Sequence, residues 1–509
     1  MRRSIEGTWH WAARVAASKY FFLATCLTYV ALAIFFAVSV IFPHYSGLIN
    51  GVVRVTPPNR VPDEFRHIAN ILYYVQRDFW AGPVISNVPA ETLRLGEITR
   101  FPSYFYYYFM SWFVRWFDFG GSNYYAVVLT LRLITAVFGL LTLIVVRKSL
   151  LRLKFSLAVA NISVFGLLLT GRFVWQSAGV SYDMPSMLLF AVFCHYSIKF
   201  IQSRNLWLIL PLLGITFLNS VVKYTYLPFQ LGYLGLIVVW YLITRKKHSG
   251  VKSPRPALAN LWFWILTTAI SFALFAERIL QNILVWRQIE PGCDKIQTYA
   301  NCFTLMGIFR RNESAAAAVA NHTAHDLMNP FVYFVRWVNN IYQSLFFYRG
   351  WSTHNWYVIE RVIVVGLLAT AVAFILFVIG AVRNSRSPER LFAITVVATY
   401  AVGVFAFNAK TYLNLHVTFA ASGRYLLPIL GFFFAFGVLG IRELFKIKSL
   451  ALKRTVLISL GALLLLFWWW HNPLVAYDPL YHSKNFWANM GPVADIFHRM
   501  ILVKRYHGQ

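Results

Sequence analysis

The sequence predicts an all-α integral membrane protein, a bundle of about eleven transmembrane helices with amphipathic helices outside the cytoplasm. Of the 509 residues, 59% are hydrophobic and only 13% are charged, a composition expected where lipid is the main solvent. Apolar runs long enough to cross a hydrocarbon core recur along the chain. Every second connection between these runs is basic. These observations exclude an ordinary soluble domain.

The apolar runs give the approximate positions of the spans. They lie at 20–42, 124–146, 155–171, 183–200, 206–222, 226–244, 257–276, 357–382, 391–409, 424–441 and 455–470. The first run is too long for the apolar region of a signal peptide and lacks a clear cleavage site. It is therefore predicted to be the first span.

The distribution of lysine and arginine predicts the orientation, because positive residues in short loops are retained in the cytoplasm. The basic connections hold Arg147, Lys148, Arg152 and Lys154; Lys199 and Arg204; Arg245, Lys246, Lys247, Lys252 and Arg255; Arg383, Arg386 and Arg390; and Arg442, Lys446, Lys448, Lys453 and Arg454. This places the N-terminus in the cytoplasm. The chain is predicted to form one membrane domain, 1–509. Three larger segments of this domain then lie on the opposite face of the membrane, at 43–123, 277–356 and 471–509.

The net charge of +29 does not predict a nucleic-acid partner. The basic residues form short clusters of the kind that anionic lipid and the insertion machinery read. The cytoplasmic connections are too short for a nucleotide-binding domain, and the sequence has no G-x-x-x-x-G-K-[ST] phosphate loop. An ATP-driven machine is excluded, and any chemistry is expected in the large segments on the other face.

These large segments contain aromatic stretches and two of the four cysteines. The stretches 101–117 and 331–347 are aromatic-rich and amphipathic, which is typical of interfacial helices that anchor a protein or contact a lipid tail.

Cys293 and Cys302 share one segment, where an oxidising compartment would favour a disulfide. Cys26 and Cys194 lie within apolar runs and are predicted core thiols.

The most specific motif lies in the first large segment, where Pro62 precedes Asp63 and Glu64, and His67 follows. Proline suits the first turn of a helix, so the two acids are predicted at its N-terminus, where the helix dipole favours the ionised form that a general base needs. His67 falls on the same face as both acids. The alternative is that two acids in a first turn only mark the start of a helix.

Three further motifs are predicted at the same membrane face. Ser181-Tyr-Asp183 opens the fourth span, where either end residue is also a plausible helix cap. Lys223 opens Lys-Tyr-Thr-Tyr-Leu-Pro between spans five and six, and Arg424 lies in Gly-Arg-Tyr-Leu-Leu-Pro at the start of span ten. Cations at outer helix ends run against the positive-inside bias and suit a phosphate partner, although they also snorkel toward lipid headgroups. Arg132 lies within span two, where a cation is usually paired.

Together, in this order and covering nearly the whole chain, the four motifs resemble those of the GT-C glycosyltransferases. The resemblance is strongest to a bacterial family of polytopic membrane proteins with P-x-D-E-x-x-H, Y-D, K-x-x-Y-x-P and G-R-Y-x-x-P motifs. It implies transfer of a sugar from a polyprenyl-phosphate carrier to a cell-surface glycan or lipid-linked acceptor, at the periplasmic face of the bacterial inner membrane. The first guess for the acceptor is a lipid-linked O-antigen.

The resemblance also implies roles for individual residues. Asp63 matches the catalytic base and Glu64 its acidic neighbour. The residues implied in substrate binding are His67, Asp183, Lys223, Tyr224, Arg424 and Tyr425. A base and phosphate-binding cations are what a single inverting displacement requires. Arg66 stands where that family usually has a small residue, which puts the identity of the substrate in doubt.

Neither a cofactor nor a metal ion is predicted, although Asp63, Glu64, His67 and Asp183 are residue types that bind divalent ions. Other classes of function stay open. A flippase or transporter of lipid-linked sugars would place its polar groups near the bilayer midplane. A polysaccharide ligase or polymerase would transfer a whole glycan, and a non-catalytic assembly partner would tolerate the loss of Asp63.

Overall fold

The structure, a computed structural model, describes residues 11, 13–38, 44–49, 52–56, 64–76, 104–117, 124–245, 257–347, 356–358, 360–418, 421–471 and 503–505. The first helices are α1 (Lys19–Val38), α2 (Glu64–Val75), α3 (Phe105–Trp116), α4 (Tyr124–Arg152), α5 (Leu157–Leu169), α6 (Gly171–Ser177), α7 (Asp183–Ser203), α8 (Ile209–Val222) and α9 (Leu227–Arg245). They are followed by α10 (Leu258–Trp286), α11 (Cys293–Ile296), α12 (Tyr299–Leu305), α13 (Gly307–Ala320), α14 (Pro330–Phe346), α15 (Glu360–Asn384), α16 (Pro388–Leu415), α17 (Leu427–Leu444) and α18 (Leu450–His471).

Half of the eighteen described helices are candidate membrane spans by length and composition. In the part of the chain that the structure describes, nine helices are long and apolar enough to cross a membrane, and α5 with α6 makes a tenth if the bent pair is one span. The fifth predicted run corresponds to a shorter apolar segment, Leu206–Val222. Every predicted run thus has a helical counterpart. The prediction of an all-α polytopic membrane protein is confirmed.

The third predicted span departs from a simple crossing. Helix α5 ends before Thr170, which adopts an extended conformation with φ −76° and ψ 102°, and α6 continues at an angle of 72°. Threonine and the following Gly171 are both weak helix formers, so the chain bends here at low cost. All seven residues of α6 are buried. This short helix therefore lies inside the protein and brings polar side chains with it.

The described strands form two short antiparallel pairs. Strand β1 (His44–Ile49) pairs with β2 (Val52–Thr56), with His44 opposite Thr56. Strand β3 (Trp356–Val358) pairs with β4 (Val503–Arg505), close to the end of the chain. Most of the C-terminal segment, 471–509, lies outside the described residues.

Helix α7 is the centre of the bundle. It packs against α4, α8, α9, α16 and α17, and thirteen of its residues are buried, including Phe190, Phe193 and Cys194. Helices α10 and α18 lie at the periphery, where Trp262, Phe263 and other large apolar side chains are exposed. Exposed apolar faces of this kind are expected of helices that contact lipid.

The two aromatic stretches form helices with one buried and one exposed face. Helix α3 buries Tyr106, Tyr107 and Met110, packs against α2, and leaves Trp116 69% exposed. Helix α14 buries Tyr333 and other residues while the aromatic Phe331 is exposed. Both stretches are thus amphipathic helices, and their position in the membrane interface stays a prediction.

The second large segment contacts the first. Cys293 and Cys302 form a disulfide with their Cα atoms 5.8 Å apart, and the bridge packs with Met306 in a small buried cluster. Helix α13 begins at Gly307, the residue after Met306. A Cβ added to Gly307 would lie 3.6 Å from Nη2 of Arg66 on α2, so the two large segments lie next to each other here. Cys26 and Cys194 are free.

Helices α15 and α17 approach each other closely at two glycines. A Cβ on Gly440 would lie 2.0 Å from the carbonyl oxygen of Leu376, and a Cβ on Gly380 would lie 1.9 Å from that of Phe436. Small residues allow such backbone contact between membrane helices, where van der Waals packing drives association.

Replacing Gly440 with alanine is expected to lower the free energy of unfolding by about 1–3 kcal/mol, because the added methyl group forces the backbones apart. Thermal unfolding in detergent measures the effect. Gly437→Ala is the matched control, since it lies on the same helix with no other atom within 4 Å of an added Cβ. The same unfolding temperature for both variants would contradict the close packing.

Candidate functional site

The carboxylate of Glu64, the second acid of the motif, is held in a buried ion pair. Nε and Nη2 of Arg132 donate to its two carboxylate oxygens at 2.8 and 3.0 Å, and the side chains are only 4% and 3% exposed. The backbone N–H of Val180 also donates to Oε1 of Glu64, at 3.0 Å. Arg132 further donates to the carbonyl oxygen of Ala37. These bonds join α1, α2, α4 and the turn before α7.

This ion pair supplies the partner of Arg132, which could not be named from the sequence. Both oxygens of Glu64 accept hydrogen bonds from this cation. Asp63, the expected base, lies outside the described residues. It directly precedes Glu64 in the sequence and therefore adjoins the first residue of α2.

His67 lies one helical turn further on, surrounded by tyrosines. Its Nδ1 is 3.0 Å from the hydroxyl of Tyr107, and its ring meets that of Tyr182 edge to face at 4.6 Å. Tyr106 lies beyond, with ring centroids 6.4 Å apart. Burial raises the pKa of Tyr106 well above its ordinary value, so this hydroxyl stays protonated at physiological pH. The aromatic shell fixes the orientation of the imidazole ring.

Asp183 pairs with Lys223 and Arg424, the two cations of the sequence motifs. Nζ of Lys223 forms a hydrogen-bonded salt bridge with Oδ1, and Nη1 of Arg424 lies 3.7 Å from Oδ2. The amide of Gln176, on the buried helix α6, donates to Oδ2 at 2.8 Å. The side chains of the aspartate and the lysine are both 9% exposed. One buried carboxylate therefore holds two cations from distant parts of the chain.

The backbone at both cations is irregular, which explains how they reach Asp183. Lys223 is extended, with φ −151° and ψ 100°, between α8 and a 3-10 turn at Tyr224–Tyr226. Arg424 lies in a second 3-10 turn, Gly423–Leu426, just before α17. The proline that follows each turn suits the first turn of the next helix, since it has no N–H to bond there.

Aromatic rings surround Lys223. Its ammonium lies 5.3 Å from the ring centroid of Tyr182, 5.7 Å from that of Tyr226 and 5.1 Å from that of Tyr425. The hydroxyl of Tyr425 also accepts a hydrogen bond from Nη2 of Arg424 at 3.1 Å. Rings at this distance attract a cation electrostatically. Tyr224 directly follows Lys223 and begins the 3-10 turn Tyr224–Tyr226.

Tyr182 connects the two halves of the site, since its ring contacts both His67 and Lys223. The ring of Tyr106 also meets that of Tyr182 edge to face, with centroids 6.4 Å apart. The structure thus brings together Glu64, His67, Asp183, Lys223, Arg424 and Tyr425, adding Arg132, Gln176 and Tyr182. Tyr182 could have been suspected from its place in the Ser-Tyr-Asp motif, whereas Gln176 has no signal in the sequence.

The described site carries more positive than negative charge. The cations Arg132, Lys223 and Arg424 face two carboxylates, Glu64 and Asp183. Within the described residues there is no group of three or more His, Cys, Asp or Glu side chains placed to hold a metal ion. The arrangement suits an anionic group such as a phosphate, to which lysine and arginine form charge-assisted hydrogen bonds.

Comparisons with known proteins add a distant likeness. No protein-family model and no curated protein sequence matches the chain. Three solved structures that align are of the oligosaccharyltransferase of Archaeoglobus fulgidus. The apo form gives a TM-score of 0.39 at 14% identity, and a form tethered to an acceptor peptide with the NVT sequon gives 0.41 at 12%. A complex with an inhibitory peptide and a dolichol-phosphate gives 0.38 at 13%.

Each alignment covers 96% of this chain and 59% or 60% of the archaeal protein. The chain thus spans about three fifths of the length of those structures. At these scores the likeness says nothing about the chemistry of the site.

Proposed function

We propose that the protein is a GT-C glycosyltransferase that transfers a sugar from a polyprenyl-phosphate carrier to a cell-surface glycan or lipid-linked acceptor. The proposal places it in the bacterial inner membrane with its site on the periplasmic face, as the basic connections predict. The order of the four motifs supports the reaction class. A lipid-linked O-antigen is the first acceptor to test.

One observation carries the proposal, the convergence of Lys223 and Arg424 on Asp183 beside an aromatic shell. A carrier phosphate needs cations that hold it in the ground state and stabilise the charge that develops as the sugar departs. Both cations come from turns that directly precede a helix. A transporter would hold its substrate near the bilayer midplane.

The proposed reaction is a single displacement. The hydroxyl oxygen of the acceptor attacks the anomeric carbon, the bond from that carbon to the phosphate oxygen breaks, and the bonding electrons leave with the phosphate. Asp63 takes the hydroxyl proton, while Lys223 and Arg424 hold the departing phosphate. Glu64 and Arg132 fix the start of α2, because both oxygens of Glu64 are bonded to the guanidinium, and Glu64 directly follows Asp63 in the sequence.

Arg424→Gln tests the phosphate role. In lipid nanodiscs with polyprenyl-phosphate sugars and lipid-linked glycans, the variant is expected to lower kcat/KM for the donor by about ten- to a hundredfold, because a hydrogen bond to a charged group is worth about 1.5–3 kcal/mol. Donor consumption and the mass gained by the acceptor are the readouts. Arg336→Gln is the matched control, an exposed cation on α14.

Three outcomes would contradict the proposal. An acceptor linkage with the same anomeric configuration as the donor, read by NMR, would exclude a single displacement. Movement of labelled lipid-linked sugar across the membrane of proteoliposomes, with no product over the whole panel of donors, would assign the protein to transport. A product that gains a whole glycan would identify a ligase or polymerase.

A further inference from the structure

A second polar cavity lies at the other end of the bundle. It measures about 880 Å³ and opens between the ends of α4 and α7 and the start of α16. Its lining includes Lys148, Arg152, Lys154, Gln202, Arg204 and Glu389. From Arg132 to Lys148 along α4 is about 24 Å at ~1.5 Å per residue. The cavity is therefore separate from the candidate glycosyltransferase site.

The cavity is strongly cationic. Lys148, Arg152, Lys154 and Arg204 contribute four permanent positive charges, against the single carboxylate of Glu389. That carboxylate is only 8% exposed and lies in the first turn of α16, where the helix dipole already stabilises it. Within the described part of the chain, none of the four cations forms a salt bridge with an acid. Their charge is thus not neutralised by an acid within the described residues.

The walls of this cavity are held in place by hydrogen bonds. The guanidinium of Arg390 donates to the carbonyl oxygens of Leu153 and Lys154, at 3.1 and 3.2 Å. The amide of Gln202 donates to the carbonyl oxygen of Arg152 at 2.6 Å. These bonds tie the end of α4 to α16 and to the end of α7. These hydrogen bonds hold the backbone that carries Arg152 and Lys154 in place, whereas a solvated basic loop would lack them.

The backbone at two of the cations is specialised for turning the chain at this point. Lys154 and Arg204 adopt left-handed conformations, with φ of 60° and 55°, and each follows the end of a helix. Non-glycine residues adopt this left-handed conformation uncommonly, and both of these lie just after a helix ends. The guanidinium of Arg204 also lies over the ring of Trp240 at 5.4 Å. Next to it, Leu206 and Trp207 are exposed apolar residues at 44% and 37%.

We propose that this cavity binds a phosphate group, most readily one on the headgroup of an anionic membrane lipid. The cations surround the phosphate, and the glycerol or sugar part of the headgroup fills the polar remainder of a volume that lies within the usual range for ligand sites. The acyl chains lie against the exposed apolar residues beside Arg204. Free phosphate and pyrophosphate present the same chemistry and are the alternative source.

The test compares two double variants of the purified full-length protein in detergent. Arg152→Gln with Lys154→Gln removes two cavity cations, and Arg383→Gln with Arg386→Gln removes two exposed cations at the same end that do not line the cavity. One arm adds phosphatidylglycerol in mixed micelles, and the other adds inorganic pyrophosphate. The readouts are the rise in unfolding temperature that a bound ligand causes and the lipids retained in native mass spectrometry.

In at least one arm, wild type and the exposed pair are expected to respond alike. The cavity pair is expected to need at least about ten times more ligand for half of the effect, since each lost contact to a charged group is worth about 1.5–3 kcal/mol. A response in the lipid arm alone assigns the site to a headgroup, and a response in both assigns it to phosphate in general. No response in wild type, or equal responses of all three proteins, would overturn the proposal. Lys154→Gln alone repeats the test if the pair fails to fold, because this side chain is exposed.

Discussion

Asp63→Asn is expected to abolish sugar transfer, lowering kcat by at least about 100-fold, because an amide cannot take the proton of the acceptor hydroxyl. The side chains are nearly isosteric, so folding and donor binding should be kept. Turnover of polyprenyl-phosphate sugars with the acceptor present measures the loss, and donor binding is measured separately. The expected pattern is a reduced kcat with an unchanged affinity for the donor.

Asp294→Asn is the control for this experiment. It removes an exposed carboxylate from the second large segment and is expected to leave turnover at the wild-type rate. Full activity of Asp63→Asn would exclude this residue as the base and make His67 the next candidate. Glu64 is a weaker choice, since its two oxygens both accept hydrogen bonds from Arg132.

The second large effect is on stability. Arg132→Met is expected to lower the free energy of unfolding by about 3–5 kcal/mol, because it leaves the buried carboxylate of Glu64 without its cation. The pair is almost completely buried, so water cannot take the place of the lost guanidinium. Thermal unfolding in detergent, followed by circular dichroism, measures the change.

Adding Glu64→Gln to Arg132→Met is expected to restore part of the stability, because the uncompensated charge is then gone. The recovery should be incomplete, since the carbonyl oxygen of Ala37 still lacks its donor. Arg383→Met is the matched control, an exposed cation on α15 that does not line the cationic cavity. An Arg132→Met protein that unfolds at the wild-type temperature would show that the ion pair contributes little.

The membrane spans could be predicted because hydrophobicity is a local property of the sequence. A run of about 20 apolar residues is long enough to cross the bilayer whatever surrounds it. The apolar run was predicted to end at 171, and the buried helix α6 that follows was not predicted, because Arg172 and Gln176 end the apolar run and only packing buries them. Helix α10 extends to Trp286, ten residues beyond the predicted end of that span, because Glu277 and Arg278 end the apolar run but not the helix.

The candidate site could be predicted as a list of residues but not as a geometry. The motifs and the orientation placed Glu64, Asp183, Lys223 and Arg424 at one face. Their pairing depends on how each helix is rotated about its axis, which the sequence does not specify for partners 68 or 40 positions apart. The Arg132 pair and the position of Gln176 are results of packing, and Asp63 stays a prediction.

The sharing of Asp183 by Lys223 and Arg424 has a consequence for turnover. On the proposed function, the carrier phosphate left after transfer must be released before another donor can enter. A carboxylate that already engages both cations competes with that phosphate and weakens product inhibition. Asp183 therefore acts as an internal counterion. It neutralises part of the charge of Lys223 and Arg424 before a donor binds, and it weakens the binding of the spent carrier after transfer.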